Sequence, residues 1–269
     1  MKINSRKIFV ISIIAVCVIS INLAVFFQIT EKAPKNEEID KVVIDTAALK
    51  ENFNNIFDNQ INYQNNNINI QKIDNTKSLV YTNYTNQDKK ENLYDVNVNI
   101  PKININNEEV NRINTEIDKL FYNKVNTVLT TNVYTIYGIK YKAYVNDNIL
   151  SLVISATLKE GENAQREIIK TYNYNLDTNQ QLNINNVLEY RKLSSADVQK
   201  NIIKTIEVES ENAKVYSDLG YSKYERNPKD DMYRLENTKV YFIGENKAIY
   251  IIYPYGNLNY TSELDLLVI

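Results

Sequence analysis

The chain has 269 residues, with 31 Lys and Arg against 33 Asp and Glu, 21 Tyr, one Cys, no His and no Trp. Without an imidazole, Ser-His-Asp and Cys-His nucleophile systems and every His-ligated zinc hydrolase are excluded from the chain's own chemistry. A net charge of -2 supplies no cationic excess for a phosphate backbone, which argues against nucleic acid as a partner, and a lone Cys forms no intramolecular disulfide. About forty residues are Asn, while Gly (5) and Pro (4) are scarce. Asn, Ile, Lys and Tyr share AT-rich codons. Because the Asn residues are interleaved with Ile, Val and Tyr that can build a core, the excess reads as the mark of a low-GC genome rather than of an aggregation-prone tract.

From Ile8 to Ile29 the chain is apolar and uncharged over a bilayer-spanning length. Lys2, Arg6 and Lys7 precede it, so the N-terminus is expected in the cytoplasm and everything after about Thr30 outside. The run exceeds a signal-peptide core and no small-x-small cleavage site follows, which favours an uncleaved signal anchor over a cleaved signal. Cys17 follows Val16 and is itself followed by further apolar residues, so it does not fit a lipidated Cys and reads as a small apolar side chain. The expected organisation is a cytoplasmic tail (1–7), a transmembrane anchor (8–29), a tether (30–77) and an extracytoplasmic domain (78–269). Within the tether, Leu49, Phe53, Ile56 and Phe57 recur at helical spacing and predict one short amphipathic helix between Thr46 and Asn59. The Asn-rich stretch after it reads as linker or edge strand.

Strand patterns begin at Ser78. LVYTNYT is followed by an alternating run through Val96, Val98, Ile100, Ile103 and Ile105, in which Pro101 belongs at an edge or near the strand end. Asn106 with Glu109 marks a helix start, and Val110, Ile113, Ile117, Leu120, Phe121, Val125 and Val128 share one helical face. Strands around Val133–Val145, from Ile149 and from Arg166 follow, separated by turn residues that favour consecutive antiparallel pairing. A second helix starts near Ser194 with Val198, Ile202 and Ile206 inward, Val215 to Leu235 reads as an irregular Tyr-rich connection, and KVYFIG, AIYIIYPY and ELDLLVI close the chain as strands. The predicted fold class is α+β: an antiparallel sheet with two main helices packed on one face, preceded by a single transmembrane helix.

The ordered pieces Ile100-Pro101-Lys102-Ile103, Arg112-Ile113-Asn114, Leu150-Ser151-Leu152, Tyr174 to Thr178, Leu182-Asn183-Ile184, Val240 to Ile243 and Tyr253-Pro254-Tyr255 carry a family resemblance. In this order they resemble the extracytoplasmic domain of RsiV-type anti-sigma factors and the related domain that precedes the catalytic part of PdaC-type peptidoglycan deacetylases. The resemblance spans roughly Ser78 to Ile269. It implies a sensory or binding module of a Gram-positive-type cell envelope, without the anti-sigma part, for which about seven cytoplasmic residues leave no room, and without the His-dependent deacetylase. In the lysozyme-sensing members a Y-E-I-A-P-Y segment meets the ligand. The corresponding stretch here runs Tyr255 to Tyr260 and has Asn259 in place of the Pro.

Tyr is the residue type most informative about binding, because a phenol gives rigid contact area with a polar tip. Tyr81, Tyr84, Tyr141, Tyr144, Tyr172 and Tyr174 fall on strands, where Tyr is a good sheet former. The loop group is the candidate ligand-binding set: Tyr221, Tyr224 and Tyr233, with Pro254, Tyr255 and Tyr260. Among carboxylates, Glu160, Glu162, Glu225, Asp230 and Asp231 show no spacing that selects a catalytic pair, and no calcium-loop motif is present, so no catalytic, cofactor or metal residue is assigned. The expected function is that of a non-catalytic, membrane-anchored module recognising a lysozyme-like muramidase or peptidoglycan fragments. The alternatives are a structural accessory of an envelope complex, with Asn22 as a contact inside the membrane, and a carboxylate hydrolase of wall polymers.

Overall fold

The structure is a computed structural model and describes residues 45–57, 61–63 and 70–269. The expected anchor and the first part of the tether lie outside the described residues, and no helix among the described residues is long and apolar enough to cross a membrane. Helix α1 (Thr46–Glu51) is capped by Asp45, whose carboxylate accepts the Ala48 amide at 3.0 Å. It stops short of the predicted length. A 3-10 turn over Phe53–Asn55 follows and buries Phe53 and Ile56, so this part of the stretch packs into the core. Strand β1 (Ile61–Tyr63) comes next, then the hairpin β2 (Val80–Lys90) and β3 (Tyr94–Ile103). Pro101 sits beyond Val98, where β3 has parted from its second neighbour, as a residue without an N–H requires.

Helix α2 (Glu108–Ile117) is capped by Asn107, one residue after the position expected, with its side chain accepting the Glu109 amide at 2.8 Å. It passes through a π turn (Asp118–Tyr122) into α3 (Asn123–Leu129). The wider turn re-phases the apolar stripe: Phe121 follows Ile117 inward, and Leu120, expected on that face, is 47% exposed. These helices form the crossover that lets β3 pair parallel with β4 (Thr135–Asn146), over Tyr94–Val98 against Thr135–Ile139. Strand β1 also pairs parallel with β4, at Ala143–Val145. The sheet is therefore mixed, although β4, β5 (Ile149–Glu160) and β6 (Arg166–Asn175) pair antiparallel in sequence order as the turns predicted. The short β7 (Gln180–Gln181) adds to β6 and completes a seven-stranded sheet.

Helix α4 (Ile184–Tyr190) begins with a capping box between Asn183 and Asn186. Helix α5 (Ser195–Asp218) starts at the expected Ser194 cap but continues for 24 residues, through part of the segment expected to be irregular. Beyond Ile206 only Ala213 is buried, so the apolar stripe that marks a helix fades while the helix goes on. The last strands, β8 (Val240–Ile243), β9 (Ile249–Pro254) and β10 (Leu264–Val268), make a separate antiparallel sheet in the order β10-β9-β8.

Two helices on one face of one sheet is thus not the arrangement. Helices α2 and α3 share a core with the large sheet, whereas α4 and α5 pack on the small one. The reason lies in β8 and β9, which are apolar at every position and buried on both faces. Tyr241, Ile243, Ile249, Ile251 and Tyr253 meet α4 and α5. Val240, Phe242, Tyr250 and Ile252 turn the other way, onto Phe53, Ile56 and the large-sheet residues Tyr144, Val153 and Ile169.

Where the sheets meet, side chains replace a missing strand. Ile243 N donates to Ser151 Oγ (3.1 Å) and Tyr241 N to Thr171 Oγ1 (3.1 Å), while Asn173 Nδ2 donates to Tyr241 O (2.8 Å) and Asn146 Nδ2 to Ile243 O (3.1 Å). The outer edge of β6 is closed by the C-terminal loop: Glu167 N donates to Thr261 O (3.1 Å), and the Asn257 carboxamide bonds both Ile169 N (3.3 Å) and Ile169 O (3.1 Å). Gly256 makes this approach feasible, since a Cβ there would lie 2.1 Å from Glu167 O and 2.5 Å from Thr261 O.

Two outcomes are expected. In urea denaturation, Gly256→Ala lowers the unfolding free energy by about 1–3 kcal/mol as an overpacking change. Gly138→Ala, whose Cβ would meet nothing nearer than 3.7 Å, stays within about 0.5 kcal/mol; equal effects at the two sites would contradict the tight docking of the loop. Burial pushes the phenols of Tyr241, Tyr250 and Tyr253 up to about 12 from 10.0. Raised folded-state values mean that their contribution to stability is whole below pH 10 and is lost as pH rises from about 10 to about 12. Far-UV circular dichroism and phenolate absorbance should therefore change together in that window, and buried phenolate appearing in an intact fold would contradict the packing described.

Candidate functional site

Three of the tyrosines selected from the sequence converge on a buried polar node. The Tyr233 and Tyr255 hydroxyls are 2.9 Å apart and both side chains are inaccessible to solvent. Tyr255 Oη donates to the Asp265 carboxylate. Tyr224 stacks on the Tyr255 ring with centroids 4.0 Å apart and planes at 16°. Burial, then the neighbouring Asp265 charge, drive the Tyr255 phenol far above its ordinary range, so it is a fixed hydrogen-bond donor at any physiological pH.

Arg226 closes the node. Its guanidinium forks onto Asp265, Nε to Oδ2 at 2.8 Å and NH2 to Oδ1 at 2.9 Å, reaches Glu263 Oε2 at 3.1 Å and donates to Tyr224 O at 2.7 Å. It also lies over the Tyr255 ring, 4.8 Å from the centroid. Burial opposes the charge on Arg226, but the bonds to Asp265 and Glu263 outweigh it and hold its pKa above the usual value. The consequence is mechanical: the segment after α5 is pinned to β9 and β10.

The remaining selected residues lie elsewhere. Pro254 is buried at the end of β9, paired in register with Leu264. Tyr221 is 63% exposed and packs edge-on against Tyr216 at the end of α5. Tyr260 is 56% exposed and sits over the Arg166 guanidinium at 5.2 Å. Of the carboxylates weighed for catalysis, Glu160 is paired with Lys124 and Arg166, and Asp231 with Arg234.

Beside the node opens a cleft of about 690 Å³. Its floor is the polar half of one face of the large sheet. The strand registers place Asn97, Gly138, Thr157 and Glu167 in one row across β3, β4, β5 and β6. Lys140 and Ser155 form the next row. Glu167 accepts the Thr157 hydroxyl at 2.9 Å and the Ser155 hydroxyl as well. Gly138 leaves a trough at the centre, where a side chain would meet only ordinary contacts. One wall comes from α1 and the turn after it, with Lys50, Phe53 and Phe57, and the other from Arg226 and Ser262–Leu266, the residues that the node fixes. Lys50 bonds Glu209 of α5 at 3.3 Å on the rim.

None of the floor residues, nor Arg226, Glu263 and Asp265, stood out in the sequence. The available signal was a run of small polar residues in the outward phase of adjacent strands, Ser155 and Thr157 beside Glu167, and it becomes a site only once the registers are known.

No family model matches the sequence, and no curated protein matches it. Among solved structures, the chain is similar to a DUF3298 family protein from Pseudomonas aeruginosa, at 11% identity over 66% of this chain and 82% of that one, with a TM-score of 0.36. It is also similar to a DUF3298 family member from Bacteroides fragilis, at 9% identity over 65% and 80% of the two chains, with a TM-score of 0.35.

Proposed function

We propose that the chain is a membrane-anchored, extracytoplasmic, non-catalytic binding module and that its ligand site is the cleft on the large sheet. The observation that carries this reading is the row Asn97, Gly138, Thr157 and Glu167 across four strands: three of its members carry side-chain donors or acceptors, and Gly138 leaves a trough between them. Its volume lies in the range of ligand sites, and the walls are held by the Arg226 node rather than by mobile groups. A cell-wall glycan suits this surface. Its hydroxyl and acetamido groups can bond a carboxylate, a carboxamide and a hydroxyl, while Phe57 offers a partly exposed ring at the wall.

Recognition of a protein such as a lysozyme-like muramidase is the second reading, and one observation favours it. Leu219, Tyr221 and Tyr216 are 69%, 63% and 50% exposed around the end of α5, an apolar and aromatic surface of the kind found at protein interfaces. Calorimetric titration of the full chain in detergent separates the two. Under the cleft reading, soluble peptidoglycan fragments bind, Asn97→Ala and Glu167→Gln each weaken them at least about tenfold, and Tyr221→Ala has no effect. Binding of lysozyme alone, lost in Tyr221→Ala, would replace the cleft reading with the protein one.

A further inference from the structure

We infer that the cleft is selective for an acidic ligand, a glycan carrying a carboxylate rather than a neutral one. This rests on the cleft reading above and concerns two floor residues whose charges are left for the ligand. Every other cation lining the cleft is matched by a carboxylate of the protein: Lys50 by Glu209 at 3.3 Å, Lys223 by Glu263 at 4.0 Å, and Arg226 by Asp265 at 2.8 Å. Lys140 is different. It is exposed on the floor beside Ser155, and no carboxylate among the described residues lies within ion-pair distance of its ammonium.

Glu167 is the complementary case. Its bonds come from the Ser155 and Thr157 hydroxyls, with no cation of the described residues in contact with it. Two hydroxyl donors leave lone pairs on the carboxylate for a ligand hydroxyl or N–H. The floor therefore presents one uncompensated positive and one uncompensated negative group, separated by the short side chains of Ser155 and Thr157 and by Gly138. A ligand that fills the trough with its carboxylate at Lys140 and a hydroxyl or acetamido N–H at Glu167 satisfies both. A neutral glycan satisfies only Glu167. Because the pair is open to water, the discrimination is electrostatic and weakens with salt.

The test uses the full chain in detergent and three defined probes: a neutral N-acetylglucosamine tetramer, a tetramer containing N-acetylmuramic acid with a free carboxylate, and the same compound with that carboxylate amidated. The acidic tetramer should bind the wild type at least tenfold more tightly than either neutral probe, with the preference reduced at high salt. Lys140→Met should bring the three to parity, and Glu167→Gln should weaken all three. Equal binding of the three by the wild type, or a preference retained in Lys140→Met, would overturn the selectivity while leaving the cleft as the site. Binding of none of them would overturn the cleft reading itself, and the selectivity with it.

Discussion

The strand-free backbone edges of β6 and β8 must find hydrogen-bond partners where they are buried, and five polar side chains supply them: Asn146, Ser151, Thr171, Asn173 and Asn257. A buried N–H or C=O left without a partner costs about 1–3 kcal/mol. At this junction the cost would fall on several groups at once, so the small sheet has one place where it can sit against the large one. Asn is suited to the task because its carboxamide carries a donor and an acceptor, as a peptide unit does. Asn257 uses both on Ile169, and Asn114 does the same on Ile103, at 2.9 Å for each bond, where β3 has run past β4.

That junction places everything the cleft needs. With β8 fixed, β9 and β10 follow by ordinary antiparallel pairing, and β10 carries Asp265 to the Arg226 guanidinium. The ion pair is buried and bidentate, with Glu263 and Tyr255 completing its coordination. Removing one partner of such a pair strands the other charge, which makes the node a constraint on the loop after α5 rather than a surface ornament. The same loop and β10 form one wall of the cleft, while Phe53 and Ile56, buried against the small sheet, hold the other. The floor runs from β3 to β6, and at Glu167 the outer edge of β6 is closed by the Thr261 carbonyl.

Much of the fold was legible from periodicity. The β4–β5–β6 meander, the α2–α3 stripe apart from Leu120, and the Ser194 cap are local patterns, and they appear where the sequence places them. What escaped was non-local. Parallel pairing of β3 with β4 and the division into two sheets depend on which edges meet, a property of no single segment. The codon-bias reading of Asn likewise overlooked a structural use, since an Asn that stands in for a strand looks no different in sequence from one on the surface. The Tyr-based choice of site residues found a cluster in Tyr224, Tyr233 and Tyr255, but Tyr233 and Tyr255 lie in the interior and Tyr224 is half-buried against them. Its charged partners, Arg226 and Asp265, are 39 residues apart in the chain and carry no motif.

The most direct test of the cleft as ligand site is residue-by-residue mapping of contact, by amide chemical-shift perturbation of the detergent-solubilised chain as soluble peptidoglycan fragments are added. Perturbations are predicted to centre on the amides of Asn97, Gly138, Lys140, Thr157 and Glu167 and to saturate together. Perturbations confined to Tyr216, Leu219 and Tyr221, with the sheet floor unmoved, would contradict the cleft as the site.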